Sequence, residues 1–378
     1  MKIALLGGGS GGHFYPLLAV ARELQELKLE QHLIDLQIVL YGDDIIDLEA
    51  LVDDEIVFEK ILTGKRRKYR SLKNLTDPFR VLGGIIQMLW KFTLDPPDVI
   101  FSKGGYAAFP SLVAARLYHI PVIIHETDTI PGKVNQYAAR FARRIAVTFP
   151  ESAELFERKE VVALTGQPIR KNVLGGTDTE AYDIFHLEEG LPTILVLGGS
   201  QGAQIINDLI LSALGRFVTS FQVIHQTGKF NYEAIKHESA VALENTAAEL
   251  HGRYHPFAFL NEAQMRNAGH ISNLVISRAG GGSIAEIAAW NSAAILIPLP
   301  EDVDANGHQK ENAFNYARLG AAEVLGQKNL TPNLLYARSA RILEDKAIQH
   351  RMTTAAQRFS RLGAAREIAE EILKLAIH

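Results

Sequence analysis

Short apolar runs and segments of helical period alternate along almost the whole chain. After Lys2–Leu6, buried strands are predicted at Ile34–Tyr41, Asp98–Phe101, Pro121–His125, Ile145–Phe149 and Val161–Leu164. Helical patterns fill the gaps at Pro16–Leu27, Phe79–Phe92, Ser111–Tyr118 and Val134–Phe141. The second half repeats the rhythm, with strands near Thr193–Leu197, Phe221–His225, Leu274–Ser277, Ala294–Ile297 and Ala321–Val324. Its helices are predicted near Ala203–Leu214, Ser283–Trp290 and Gln309–Leu319. This alternation is the signature of an α/β protein built from doubly wound parallel sheets.

Length divides the pattern. At 378 residues the chain is long for one core, so two Rossmann-like domains are expected. The rhythm breaks between Gly166 and Pro192, where Gly175-Gly176 and an acidic patch intervene. The first domain is therefore set at 1–165 and the second at 166–345. Residues 346–378 read as helices with no following strand, able to return to the first domain. With 47% hydrophobic and 22% charged residues the chain is an ordinary globular one, and its net charge of −4 argues against a nucleic-acid binder. Having no cysteine, it can build neither a disulfide framework nor a thiolate metal site. No apolar run approaches the roughly 18 residues of a spanning helix, so any membrane contact is expected to be peripheral.

Two strands run straight into glycine turns and then helices. Lys2–Leu6 precedes Gly7-Gly8-Gly9-Ser10-Gly11-Gly12-His13, and Thr193–Leu197 precedes Gly198-Gly199-Ser200-Gln201-Gly202-Ala203. Such units offer backbone N–H groups to an anion. Two of them suggest two α/β halves facing a shared cleft. Gly7-x-Gly9-x-x-Gly12 also matches the dinucleotide fingerprint. That reading wants an acidic residue about 20 positions on; here Asp43 and Asp44 follow the second strand some 30 positions on. A tight turn with no ligand is the plain alternative. His13 follows the last glycine, with Pro16 expected to fix the helix start, and its reference pKa of about 6.5 suits general-base work.

Further motifs stand in order: Ser102-Lys103-Gly104-Gly105-Tyr106 with Pro110, His125-Glu126-Thr127-Asp128-Thr129-Ile130-Pro131-Gly132, and Thr165-Gly166-Gln167-Pro168-Ile169-Arg170. Ser277-Arg278-Ala279-Gly280, Ile284-Ala285-Glu286 and His308-Gln309 with Asn312-Ala313 complete the series. Over about residues 1–340 the chain resembles the bacterial peptidoglycan N-acetylglucosaminyltransferases of glycosyltransferase family 28, which convert lipid I to lipid II. The resemblance implies a GT-B architecture, with UDP-GlcNAc held mainly by the second domain and the undecaprenyl-diphosphate-linked acceptor by the first. It implies inverting β-1,4 transfer with no bound metal or cofactor, the departing UDP being stabilised by a helix terminus and glycine amides.

By the same resemblance His13 is the catalytic candidate. Ser10, Gly11, Gly12, Asp128, Arg170 and Ser200 are expected at the donor, Ser200 on its diphosphate and Arg170 on donor phosphate. Leu260 matches the position whose backbone reads uracil. Gly281, Gly282, Ser283, Ile284, Ala285 and Glu286 form a loop entering a helix, where Glu286 would accept the ribose hydroxyls. Gln309 would contact the sugar ring. Gly104, Gly105, Tyr106, His125 and Glu126 are expected at the acceptor. The plain alternatives are a helix cap for Ser200, a solvated charge for Arg170, a dipole partner in the first helical turn for Glu286, core for Leu260 and a buried structural pair for His125 and Glu126. Three features depart from the family's pattern. Asp128 stands where Asn is usual, and a carboxylate cannot donate as an amide does. Ser10 replaces a common Thr, and Pro300–Gly307 is longer and more acidic than usual.

The basic run Lys65-Arg66-Arg67-Lys68-Tyr69-Arg70, with Lys73, precedes a helix carrying more apolar residues than one core stripe needs. That suits docking on the anionic cytoplasmic face of the cell membrane, at about 1 kcal/mol per cation. The plain alternative is a solvated loop before a core helix. Three other functions share parts of this pattern: a GT-B transferase for another UDP-sugar, a sugar-nucleotide-binding subunit without catalysis, and an NAD-dependent oxidoreductase. His13, Glu286 and Gln309 speak against the second, and the duplicated turn against the third.

Overall fold

A computed structural model describes residues 1–8, 11–45, 47–64, 73–198, 203–304 and 307–377, without the side chains of 49, 53 and 73–75. The chain divides into two compact units, Met1–Arg170 with the residues from Arg361 on, and Lys171–Ser360. The first unit thus closes five residues later than the sequence break suggests. The helix Lys346–Phe359 stays with the second unit, and only the helix Ala364–Ile377 belongs to the first.

Among the described residues the first unit holds seven strands: β1 (Lys2–Leu6), β2 (Gln37–Gly42), β3 (Val57–Lys60), β4 (Val99–Ser102), β5 (Val122–Glu126), β6 (Arg144–Val147) and β7 (Val162–Leu164). They pair in parallel in the order β3-β2-β1-β4-β5-β6-β7. Period-two alternation splits β1 between two cores. Ile3 and Leu5 pack with Leu17, Leu24 and the returning helix's Ile368 and Ile372. Ala4 and Leu6 pack on the other face with Met88, Phe92 and Leu112. Burial on both faces is why the central strands are continuous apolar runs.

The second unit has β8 (Thr193–Leu197), β9 (Gln222–Gln226), β10 (Tyr254–Phe257), β11 (Leu274–Ser277), β12 (Ala293–Leu296) and β13 (Ala322–Val324), also parallel. Their order, β10-β9-β8-β11-β12-β13, repeats that of the first unit. Ile194 and Val196 pack on Leu209, Leu214 and Phe217 of the helix Gln204–Ser220. β10 is absent from the sequence-based expectation because it contains Pro256; proline is tolerated there because β10 is an edge.

In each sheet the strand order reverses beside the first strand, between β1 and β4 and between β8 and β11. Open parallel sheets bind ligands beyond the carboxyl ends of the strands at such switch points. Gly7 follows β1 and Gly198 follows β8 at these points.

Candidate active site

The helix after β1 spans Gly11–Glu30, so it starts five residues before the expected position and takes Pro16 inside. His13 therefore sits in the first helical turn, not ahead of it. Gly11 and Gly12 are the helix's first two residues, where N–H groups have no helical carbonyl to bond. The His13 ring lies against Gly105, whose missing Cβ would stand 3.4 Å from Nε2. Gly104 and Gly105 have φ of +72° and +76°, a region that favours glycine. A Cβ on Gly104 would come within 2.5 Å of Asn135 Oδ1. These two glycines let the β4 loop close over the imidazole. Burial, with Lys103 beside it, pushes the His13 pKa down to about 4, while Asp128 and Asp43 oppose.

Asp43 follows β2, where a dinucleotide enzyme would hold its ribose. Here Oδ2 accepts from Tyr106 Oη, and Oδ1 lies so close to Gly8 that a Cβ there would be 2.5 Å away. Gly8 is thus shaped by a carboxylate of its own chain.

A residue to which the sequence reading assigns no role, Lys103, forms the centre of the cluster. Its ammonium is buried and donates to His125 Nδ1 (2.5 Å), Thr127 Oγ1 (2.5 Å) and Gln167 Oε1 (3.1 Å). His125 Nε2 lies 2.8 Å from the Gly166 carbonyl. That carbonyl can only accept, so the proton sits on Nε2 and Nδ1 receives the lysine. Burial, with Lys103 beside it, holds His125 well below its usual pKa, so the ring is neutral. Burial brings Lys103 itself down to about 7, against the pull of Glu126 and Asp128. The sequence signal was a lysine directly after an apolar strand and before two glycines.

The sequence reading sets His125 and Glu126 against the acceptor. The structure engages them within the protein. Glu126 Oε1 accepts from Asp128 N (3.0 Å), and Oε2 from Gly132 N and Asn135 Nδ2 (both 2.9 Å). Burial raises its pKa, Asp128 adding to the effect. Glu126 shapes the loop 127–132 from behind, and this loop carries Asp128 towards His13 and Lys103. Arg170 stacks over the Tyr15 ring, 3.8 Å from its centroid.

In the second unit, β11 leads through Arg278-Ala279-Gly280 into the helix Gly281–Ala289. Gly281, Gly282 and Ser283 are its first turn, whereas Ile284 N already bonds Gly280 O at 3.0 Å and Ala285 is buried. Glu286 is the sixth helical residue, in the second turn, which removes the first-turn dipole alternative. Arg278 Nη1 donates to Ile297 O (3.0 Å) and Gln327 Oε1 (2.9 Å), and Asn312 Nδ2 to Ala279 O (3.2 Å), fixing the loop. Gln309 Oε1 accepts from Leu299 N at 3.1 Å, which turns its amide into a pure donor. The acidic approach to it has a structural use: Asp304 Oδ2 accepts from Gln309 N at 2.7 Å, capping the helix His308–Arg318. Leu260 is buried, and its N–H bonds Gln226 Oε1 at 3.0 Å. Behind β9, the bonds Tyr254 Oη–His225 Nδ1 (2.9 Å), His225 Nε2–Asn207 Oδ1 (3.0 Å) and Asn207 Nδ2–Thr227 O (3.1 Å) form one buried chain. Ser10, Ser200 and the basic run Lys65–Arg70 lie outside the described residues. Among the described residues no group of three or more His, Asp or Glu side chains is placed to hold a metal ion.

Two doubly wound units, each a parallel sheet with a switch point beside its first strand, are the architecture of the GT-B glycosyltransferases. Residues 3–147 match the glycosyltransferase family 28 N-terminal domain and residues 193–371 its C-terminal domain. The UDP-N-acetylglucosamine--N-acetylmuramyl-(pentapeptide) pyrophosphoryl-undecaprenol N-acetylglucosamine transferase of Lachnospira eligens is 37% identical over 347 residues, 91% of this chain and 92% of its own. The transferase of the same name from Clostridium kluyveri is 35% identical, covering 88% and 89%. The crystal structure of Acinetobacter baumannii MurG gives a TM-score of 0.73 at 26% identity over 99% of both chains. The chain belongs to this family of N-acetylglucosamine transferases within glycosyltransferase family 28.

Proposed function

We propose that the chain transfers N-acetylglucosamine from UDP-GlcNAc to the C4 hydroxyl of the N-acetylmuramyl unit on undecaprenyl diphosphate, making lipid II from lipid I in peptidoglycan synthesis. The observation that carries this is the 37% identity, across 91% of the chain, to a transferase named for that donor and acceptor. His13, kept neutral by burial, takes the C4 hydroxyl proton as the oxygen bonds to C1 of the donor sugar. The C1–phosphate bond breaks on the opposite face and the electron pair leaves with UDP, so the anomeric centre inverts. Tyr106 and the Gly104-Gly105 turn face the acceptor.

The first-turn amides of Gly281–Ser283, with Ser200 and its turn, meet the diphosphate. Gln309 presents its amide hydrogens to the sugar, Glu286 accepts the ribose hydroxyls, and Leu260 reads the base through its carbonyl oxygen. Arg170, Asp128 and the Ser10–Gly12 turn complete the donor contacts.

No helix of the described residues is long and apolar enough to cross a membrane. The helix Lys73–Leu94 instead exposes Phe79, Leu82, Ile86, Trp90 and Leu94 at spacings of three and four, one stripe on one face. This stripe supports peripheral docking on the anionic cytoplasmic leaflet, beside the lipid-linked acceptor.

The test uses radiolabelled UDP-GlcNAc and a short-chain lipid I analogue. Wild type yields labelled lipid, and His13→Ala loses turnover by about 10²–10⁴-fold while donor affinity by calorimetry persists. Turnover near wild type in that variant would remove His13 as the base.

A further inference from the structure

In the first unit a buried polar cluster surrounds Lys103. Its three ammonium hydrogens have three acceptors, drawn from β5 (His125), the loop after it (Thr127) and the segment after β7 (Gln167). The shell is complete: the tautomer of His125 is set by Gly166, and Thr127 Oγ1 passes its own hydrogen to Gln167 Oε1 at 3.2 Å. A buried cation held this completely is fixed in place. Around it stand two carboxylates, Glu126 and Asp128, of which Glu126 is taken up by backbone N–H groups and Asn135. Asp128 is the carboxylate that occupies the place of the usual amide.

We propose that Lys103 is a positioning residue for the transfer: its buried ammonium seats the loop 127–132 through Thr127 and balances the charge of Asp128 beside His13. The proposal rests on the reading of His13 as the base. The charged groups facing His13 are Asp43 after β2, Lys103 after β4 and Asp128 after β5, with Tyr106 bonded to Asp43. Lys103 opposes protonation of the imidazole and Asp128 favours it, so the two act on the base with opposite sign. With the lysine alone removed, Asp128 acts unopposed and His13 becomes easier to protonate. With both charges removed, the ring returns towards its starting state.

The experiment is a double-mutant cycle of Lys103→Met and Asp128→Asn, with two readouts. Histidine-labelled protein reports the His13 titration by NMR, the signal being assigned by its loss in His13→Gln. Product formation gives kcat/KM against pH. Lys103→Met is expected to raise the His13 pKa by about one unit and to lower kcat/KM. The double variant is expected to sit closer to wild type than Lys103→Met does in both readouts. A third variant, Thr127→Val, keeps the charge and removes one anchor; it should weaken donor affinity and leave the His13 titration in place. An unchanged His13 titration in Lys103→Met, or strictly additive losses in the cycle, would overturn the proposal. If Lys103→Met does not fold, a His13 titration that moves in Thr127→Val, or an unaltered donor affinity there, does the same. Absence of wild-type turnover would count against the transferase reading instead, since the NMR titration needs no activity.

Discussion

The depressed pKa of His13 makes an unusual pH–rate profile the sharpest expectation. A free imidazole near 6.5 would be about 76% neutral at pH 7.0 and about 9% at pH 5.5, so a base of that kind loses roughly eightfold over the interval. With its pKa at about 4, the ring remains about 97% neutral at pH 5.5, and almost no activity is lost. The direction follows from the cause: burial and Lys103 both penalise the imidazolium, so protonation is postponed to lower pH. Protonation of Lys103, whose pKa lies at about 7, runs the same way, since a fuller positive charge there holds His13 lower still. The assay is initial-rate kcat/KM for the acceptor at subsaturating concentration, which reports free-enzyme ionisations, with circular dichroism checking that the protein stays folded at pH 5.5. A flat or slightly rising value towards pH 5.5 is expected. An acid limb centred near 6.5 and lost in His13→Gln would show that the imidazole is not held neutral, and the reasoning would fail.

Three further outcomes follow from the geometry. His225 is fully buried with a pKa near 3, so the folded state resists a proton that the unfolded chain accepts below about 6.5. Stability therefore falls as pH drops through that window, and His225→Gln should remove about 2 kcal/mol of the loss between pH 6.5 and 4.5, read as a flatter pH dependence in urea unfolding. Gly84→Ala improves helix propensity yet places a Cβ 2.0 Å from the Leu62 carbonyl oxygen; net destabilisation of about 1–3 kcal/mol is expected, and an unfolding midpoint at or above wild type would contradict it. Phe79→Glu with Trp90→Glu should weaken flotation with vesicles containing anionic lipid at least tenfold, each side chain contributing about 1.5–3 kcal/mol if fully buried. Unaltered flotation would take the docking face elsewhere.

Much of the fold was written in local pattern. β1, β5, β8 and β11 are buried on both faces and announce themselves as largely apolar runs. Edges were harder: β10 carries His255 and Pro256, which local pattern reads as loop and only its place beside β9 makes a strand. The start of the first helix was misplaced because Gly11 and Gly12 have poor propensity, while the packing of Leu17, Leu18 and Val20 winds the helix back through them. Motif order singles out His13, Gly105 and Asp128, which the fold brings near one another, but residue type does not reveal which polar atoms are already engaged. Glu126 and His125 look like ligand groups in one dimension, and their polar atoms are engaged within the protein by Gly132, Asn135 and Gly166, up to 41 positions away. Lys103 escaped for the same reason: its three acceptors come from 22 to 64 residues downstream.

The helix Ala364–Ile377 lies against the helix Gly11–Glu30, with Ala365, Ile368, Ala369 and Ile372 filling the same core as Leu17 and Leu24. The order of synthesis on the ribosome therefore conflicts with the order of assembly. The lobe whose first strand emerges earliest keeps an open apolar flank until Arg361–His378 has been translated, after the whole of the intervening Lys171–Ser360. In the meantime the intervening lobe can finish folding. A nascent or prematurely terminated chain should thus present a sticky, chaperone-dependent N-terminal half beside a settled C-terminal one.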